Sequence, residues 1–179
     1  MTFRALAAMV AGSLVLLPMT AGADEWTRTY ATDEVAADMS YGFCPLFLAG
    51  QFPLTDNPRL AERGFGNTIT KKRDTRFGEF AQVIRKVADG GVAFGGVAGK
   101  VCSVTITGAN LDKIYLRLRK DKALTGIEFE ADAKQSGQKG AALVEAYKGQ
   151  VEGQMLNLQL IRMKKPAPAI VVQLFGTAN

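Results

Sequence analysis

Histidine is absent from all 179 residues. That removes imidazole zinc sites, Ser-His-Asp and Cys-His nucleophile systems, and any imidazole pH switch. Cysteine occurs only twice, tryptophan once, and aromatic residues make up 8% of the chain. None of the aromatics interleaves with the basic runs, so a base-stacking surface for nucleic acid is excluded. After residue 23 no stretch is long and apolar enough to span a membrane. What remains is 47% hydrophobic and 22% charged, with a mean hydropathy of +0.04. That balance belongs to an ordinary globular domain and not to a disordered, collagenous or coiled-coil chain.

The N-terminus has the layout of a secretory signal. Arg4 supplies the positive end, Ala5 to Leu17 is apolar and uncharged, Pro18 interrupts it, and Ala21-Gly22-Ala23 forms a small-x-small site before Asp24. A helix over that apolar run rises about 20 Å, against a hydrocarbon core of roughly 30 Å. Cleavage between Ala23 and Asp24 is therefore expected; the alternative is an uncleaved anchor. Residues 24–179 then form one domain, large enough to bury roughly 70% of its unfolded surface. The expected location is periplasmic or secreted, and the product is not integral to the membrane. Removing Arg4 and no acid leaves 21 basic against 17 acidic residues, a net charge of +4.

In an oxidising compartment Cys44 and Cys102 are expected to form one disulfide. The alternatives are two buried thiols or one reactive cysteine, and neither residue has a CxxC partner. From Asp33, the residues Val35, Met39, Phe43, Leu46 and Phe47 recur at helical spacing, with Thr32 or Asp33 as cap. Pro45 is expected to kink or end that helix at Cys44. A short helix follows, with Asn57 as cap, Pro58 first and Gly64 past its end. Lys71 to Arg76 reads as a basic loop. Phe77 to Ala88 fits either a helix face or a hairpin strand and leans to helix.

Val92–Phe94 and Val101–Thr107 read as paired strands about a glycine-rich turn, with Cys102, Val104 and Ile106 facing inward. The clearest helix runs from Leu111 to about Ala123 behind Asn110, burying Leu111, Ile114, Tyr115 and Leu118. After Gly126 the period changes to two, and strands are expected over Ala141–Tyr147, Met155–Arg162 and Ala169–Phe175. The fold class is α+β: an antiparallel meander sheet packed on one main amphipathic helix, with N-terminal helices tied on by a disulfide.

Few motifs carry chemistry. Gly90 to Lys100 ends in Gly-Lys but has Phe94 where a phosphate loop needs its first glycine, and Val101 where it needs Ser or Thr. A tight hairpin is the reading that fits. Glu128, Glu130 and Asp132 alternate as if on one strand face; Glu128 and Glu130 are the only candidate catalytic pair, for a hydrolase acting on envelope polymers. Ser40 and Ser103 lack a spaced base, and no cofactor or metal site is indicated. Basic residues form three groups: Lys71, Lys72, Arg73 and Arg76; Arg117, Arg119, Lys120 and Lys122; and Arg162, Lys164 and Lys165. Gathered in space, they favour an anionic envelope component or an acidic protein partner.

Cys44, Gly64-Phe65, Gly99 to Val104 and Gly108, behind a signal peptide and before an amphipathic helix and meander, form a loose pattern. It resembles small uncharacterised exported proteins of proteobacteria and covers most of the mature chain. The resemblance implies export and brings no activity, ligand or site. The leading functional expectation is a non-enzymatic binding or envelope-interaction protein, ahead of the hydrolase.

Overall fold

The computed structural model describes residues 30–75, 77–88, 90–165 and 167–176. The signal segment and Arg76 lie outside the described residues. The first helical segment starts one residue before the expected caps. Helix α1 (Thr32–Ala37) is capped at Ala31, whose N–H donates to the Glu34 carboxylate at 3.2 Å. Thr32 and Asp33 thus lie inside the helix, and Asp33 is left to pair elsewhere. Its continuation, Asp38–Phe43, is a π-helical stretch, and α2 (Cys44–Leu48) follows without a break. Pro45 has no N–H for an α-helical bond. The wider turn removes the need for one, and Cys44 N–H instead reaches back to Met39. The expected kink is therefore a change of helical pitch. Helix α3 (Pro58–Glu62) begins as expected, with Asn57 accepting from Arg59 N–H at 3.1 Å and Gly64 past its end at φ 78°.

Among the described residues nine strands make one antiparallel sheet: β1 (Lys71–Thr75), β2 (Gly78–Val87), β3 (Gly90–Val97), β4 (Val101–Gly108), β5 (Glu130–Ala131), β6 (Gly137–Lys139), β7 (Ala142–Val151), β8 (Gln154–Met163) and β9 (Ala169–Gly176). The order is β1-β2-β3-β4-β9-β8-β7-β5, with β6 also on β7. Two expectations are corrected here. The basic loop is a strand, β1, and the segment that leaned to helix is the ten-residue strand β2. The helical reading of β2 counted Arg85 as a surface residue in a last turn. Arg85 instead points inward beside Val83, 6% exposed, and donates from Nη2 to the Tyr30 carbonyl at 2.6 Å. The meander is also not simply sequential, because β9 enters between β4 and β8.

Strand β3 extends past Phe94 through two glycines. A Cβ on Gly95 would fall 2.1 Å from the Ala81 carbonyl oxygen, and one on Gly96 would fall 1.9 Å from that of Val101. Neighbouring strands approach too closely there for any side chain. The tight turn lies just beyond, where Gly99 takes φ 73°.

Among the described residues, α1, α2 and a fourth helix cover one face of the sheet. Val83, Val92, Phe94, Cys102, Val104, Ile106, Leu158, Leu160, Ile170, Val172 and Leu174 form its buried floor. Helix α4 (Leu111–Asp121), prolonged by a 3-10 turn over Lys122–Thr125, buries Ile114, Tyr115 and Leu118 against it. Asn110 holds the cap position in left-handed backbone, but its side chain makes no capping bond. The α1–α2 segment is fixed to the same floor by the Cys44–Cys102 disulfide, with Cα atoms 5.4 Å apart. It is joined to α4 by the Tyr41 hydroxyl, which donates to the Leu118 carbonyl at 2.5 Å. That carbonyl belongs to the last turn of the helix, where intrahelical donors run out.

Candidate functional site

The three basic groups meet different fates. In the first, Lys71 and Arg73 are exposed on β1, the end strand of the sheet. Their partners Gln82 and Phe80 place both on the face away from the helices, with the Arg73 guanidinium 5.3 Å from the Phe80 ring centre. Lys72 also belongs to β1. In the second, most charges are consumed by the fold. Arg117 sits between Asp33 (2.9 Å) and Asp121 (3.1 Å), and Arg119 donates to Glu145 at 2.9 Å. Lys122 donates to the Arg119 carbonyl at 2.9 Å and lies over the Tyr147 ring. In the third, Arg162 pairs with Asp112 and covers the Tyr115 ring, while Lys164 and Lys165 are exposed. The second and third groups adjoin across α4 and the β7–β8 hairpin. The first lies five strands from β8, about 24 Å at normal strand spacing. One continuous patch does not form.

Electrostatics follow from these pairings. Burial raises the Asp33 carboxyl, but the hydrogen bond and charge of Arg117 outweigh it and hold the group below its usual value. Burial pushes the Tyr41, Tyr115 and Tyr147 hydroxyls upward, and Glu145 adds to the effect on the last two. Tyr147 donates to that carboxylate at 2.8 Å. Asp33 and Tyr41 tie the N-terminal helices to α4, and Glu145 and Tyr147 tie α4 and the turn after it to β7.

The carboxylates that alternate in the sequence are not equally exposed. Only Glu130–Ala131 pairs as strand, and Glu128 and Glu130 are exposed. Asp132 is buried, 8% exposed, accepting from Lys134 N–H at 3.2 Å and ion-paired at 2.9 Å with Lys148, the residue in register with Glu130. Asp132 N–H still donates to the Ala146 carbonyl at 2.8 Å, and the turn over 133–135 follows it. The Lys148 hydrogen bond holds the Asp132 carboxyl below its usual 3.8. A lowered folded-state pKa contributes stability that is present above the unfolded pKa and lost as pH falls through the folded one. Asp132→Asn is therefore expected to flatten the acid side of the stability profile below about pH 4. Denaturant melts across that range check it, and a profile parallel to wild type would sink it.

Ser40 and Ser103 are buried, at 0% and 9% exposure, in the helical layer and in β4. Among the described residues no group of three or more Cys, Asp or Glu is placed to hold a metal ion. A 360 Å³ cavity lies between the starts of α1 and α4, lined by Tyr30, Arg85, Asn110 and Lys113. A second, of 390 Å³, lies beside α3 among Leu54, Leu60 and Phe65.

The feature missed in the sequence is the outer face of α4. Leu116 and Leu124 are 62% and 71% exposed, the most exposed large apolar residues described. Lys113, 3.8 Å from the Asp33 carboxylate but with its side chain 78% exposed, and the exposed Lys120 lie on the same helix. The i, i+3, i+4 spacing of 113, 116 and 120 places these three on one side of α4, and Leu124 is exposed in the 3-10 turn that prolongs it. That spacing was available in the sequence, hidden behind the stronger buried stripe. No helix among the described residues is long and apolar enough to cross a membrane. No family model, curated protein or solved structure matches the chain.

Proposed function

We propose that this is an exported, non-enzymatic binding protein that docks on an anionic envelope surface through the outer face of α4. The observation that carries the reading is the stripe of Lys113, Leu116 and Lys120 on α4, with Leu124 exposed in the turn that follows. Two exposed leucines flanked by exposed lysines match the chemistry of a lipid surface, where apolar tips enter the headgroup region and ammonium groups meet phosphates. Each lysine near such a surface contributes about 1 kcal/mol, lost as salt screens it. Arg117 and Arg119 are held closely by Asp33, Asp121 and Glu145 at 2.9–3.1 Å, whereas Lys113 lies 3.8 Å from Asp33 with its side chain 78% exposed. The hydrolase reading has less support, since Glu128 and Glu130 lie exposed and Glu130 stands across from Lys148.

Phosphatidylglycerol vesicles should retain the protein at low salt and release it at high salt. Lys113→Glu with Lys120→Glu should weaken retention about tenfold or more, and Leu116→Ser with Leu124→Ser should weaken it severalfold. Equal retention of wild type and both variants would remove the stripe from the binding surface. Export is tested separately by the intact mass of the protein from its native host. The expected mass lacks Met1 to Ala23, and a full-length mass would overturn cleavage between Ala23 and Asp24.

A further inference from the structure

The sheet ends in two strands of opposite charge, and its geometry sets them up to meet between copies. At one end is β1, with Lys71 and Arg73 exposed; at the other is β5, with Glu130 exposed in it and Glu128 exposed just before it. None of these four side chains forms an ion pair among the described residues. We propose that the basic edge β1 of one copy pairs with the acidic edge β5 of another, joining the two sheets head to tail.

Three features of the fold make the pairing geometrically consistent. First, all seven neighbouring pairs along the eight-strand path are antiparallel. The first and last strands therefore run in opposite directions. A second copy set beside the first in the same orientation presents its β1 antiparallel to β5, which continues the sheet's own pattern.

Second, the charges share a face. Lys71 is in register with Gln82, Gly95 and Ser103 across β2, β3 and β4. Glu130 is in register with Lys148, Asn157, Phe175 and Val101 across β7, β8, β9 and β4. Val101 and Ser103 are two apart in one strand and so point the same way. Lys71 and Glu130 are thus on the side of the sheet away from the helices. Pairing Lys71 with Glu130 brings Arg73 opposite Glu128, two residues along each strand.

Third, the segment before β5 has more strand character than the single chain uses. Residues 127–131 keep a strict apolar–acidic alternation, yet only Glu130 and Ala131 pair with β7. They are held close to that strand: a Cβ on Gly149 would fall 2.6 Å from Ile127 Cγ2 and 3.0 Å from the Glu128 carbonyl oxygen. A five-residue partner such as Lys71–Thr75 matches the length of that alternating stretch.

Lysine on an edge strand ordinarily blocks unwanted pairing. Here it also selects, because β1 against a second β1 opposes like charges while β1 against β5 opposes unlike ones. The interface is heterologous, using different patches on the two copies.

Sedimentation velocity of the purified protein at low ionic strength tests this. Wild type should sediment faster as its concentration rises and return to the monomer value in about 0.5 M salt. Lys71→Glu with Arg73→Glu, and separately Glu128→Lys with Glu130→Lys, should each weaken association about tenfold or more. An equimolar mixture of the two variants should associate again, because the acidic edges of the first meet the basic edges of the second. All four sites are exposed, so melting temperatures close to wild type will show that the variants are folded. Wild type that stays monomeric at every concentration overturns the proposal, as do variants that associate like wild type or a mixture that fails to recover. The outer face of α4 is untouched by these substitutions, so vesicle retention reports on the proposed function independently.

Discussion

Replacing Cys44 and Cys102 together by alanine is expected to cost about 4 kcal/mol of folding stability. The bond spans 58 positions of sequence and closes a loop that the unfolded chain otherwise explores freely. Both residues are fully buried, Cys44 at the start of α2 and Cys102 on the inward face of β4. Without the bond, the short helices α1 and α2 remain attached only by packing and by bonds such as Tyr41 to Leu118. Helices of five and six residues do not persist in water by themselves, so this layer depends on being held to the sheet. For a domain of this size the loss corresponds to a melting temperature lower by roughly 8–16 °C. Thermal unfolding of the double variant beside oxidised wild type measures it. A loss below about 1 kcal/mol would show that packing alone fixes the helical layer.

Phe94→Ala is expected to cost about 3–5 kcal/mol, comparable to the disulfide. Phe94 is 0% exposed and is among the largest fully buried side chains. Its ring meets Phe47 edge-on at 5.7 Å and Phe52 at 5.6 Å, and Phe52 stacks on Phe43 at 4.6 Å. Truncation removes the sheet's anchor for both α2 and the loop after it. Little can refill the space, because Gly95 and Gly96 beside it already sit in close backbone contact with adjoining strands. Since Phe47 and Cys44 share α2, the two effects should not add. Combining Phe94→Ala with the cysteine replacement should give a coupling energy of about 0.5–3 kcal/mol. Equilibrium denaturation of the single and combined variants supplies the cycle, and strict additivity would disconnect the aromatic cluster from the staple.

Much of the fold was legible because its signals are local. The alternation in Val101–Thr107 placed Cys102 inward, and the structure pairs it with Cys44. The Asn57-Pro58 start, the buried stripe of α4 and the strands β7, β8 and β9 also follow from capping and period. The failures have a common cause. Strand β1 carries three basic residues in five and has no apolar face, since an edge strand is stabilised by backbone pairing with a single neighbour. Strand β2 hid its period because Arg85 occupies an inward position. The π-helical stretch before Pro45 depends on what the surrounding core accepts, and no local signal announces it.

The candidate binding surface shows the same division. That Lys113, Leu116 and Lys120 share a helix face is set by helical geometry and was present in the sequence. Which basic residues remain outward was not, because Arg117 meets Asp33 from 84 positions away, and Arg119 meets Glu145 from another element. Likewise, the acidic and basic segments were visible as composition, while their positions at opposite ends of one sheet, on one face, come from β9 entering between β4 and β8. The sequence by itself determined the elements whose period and caps are local, and the identity of the cysteine pair. Only the tertiary structure decided strand order and which charges the fold consumes, because both depend on contacts between residues far apart in the chain.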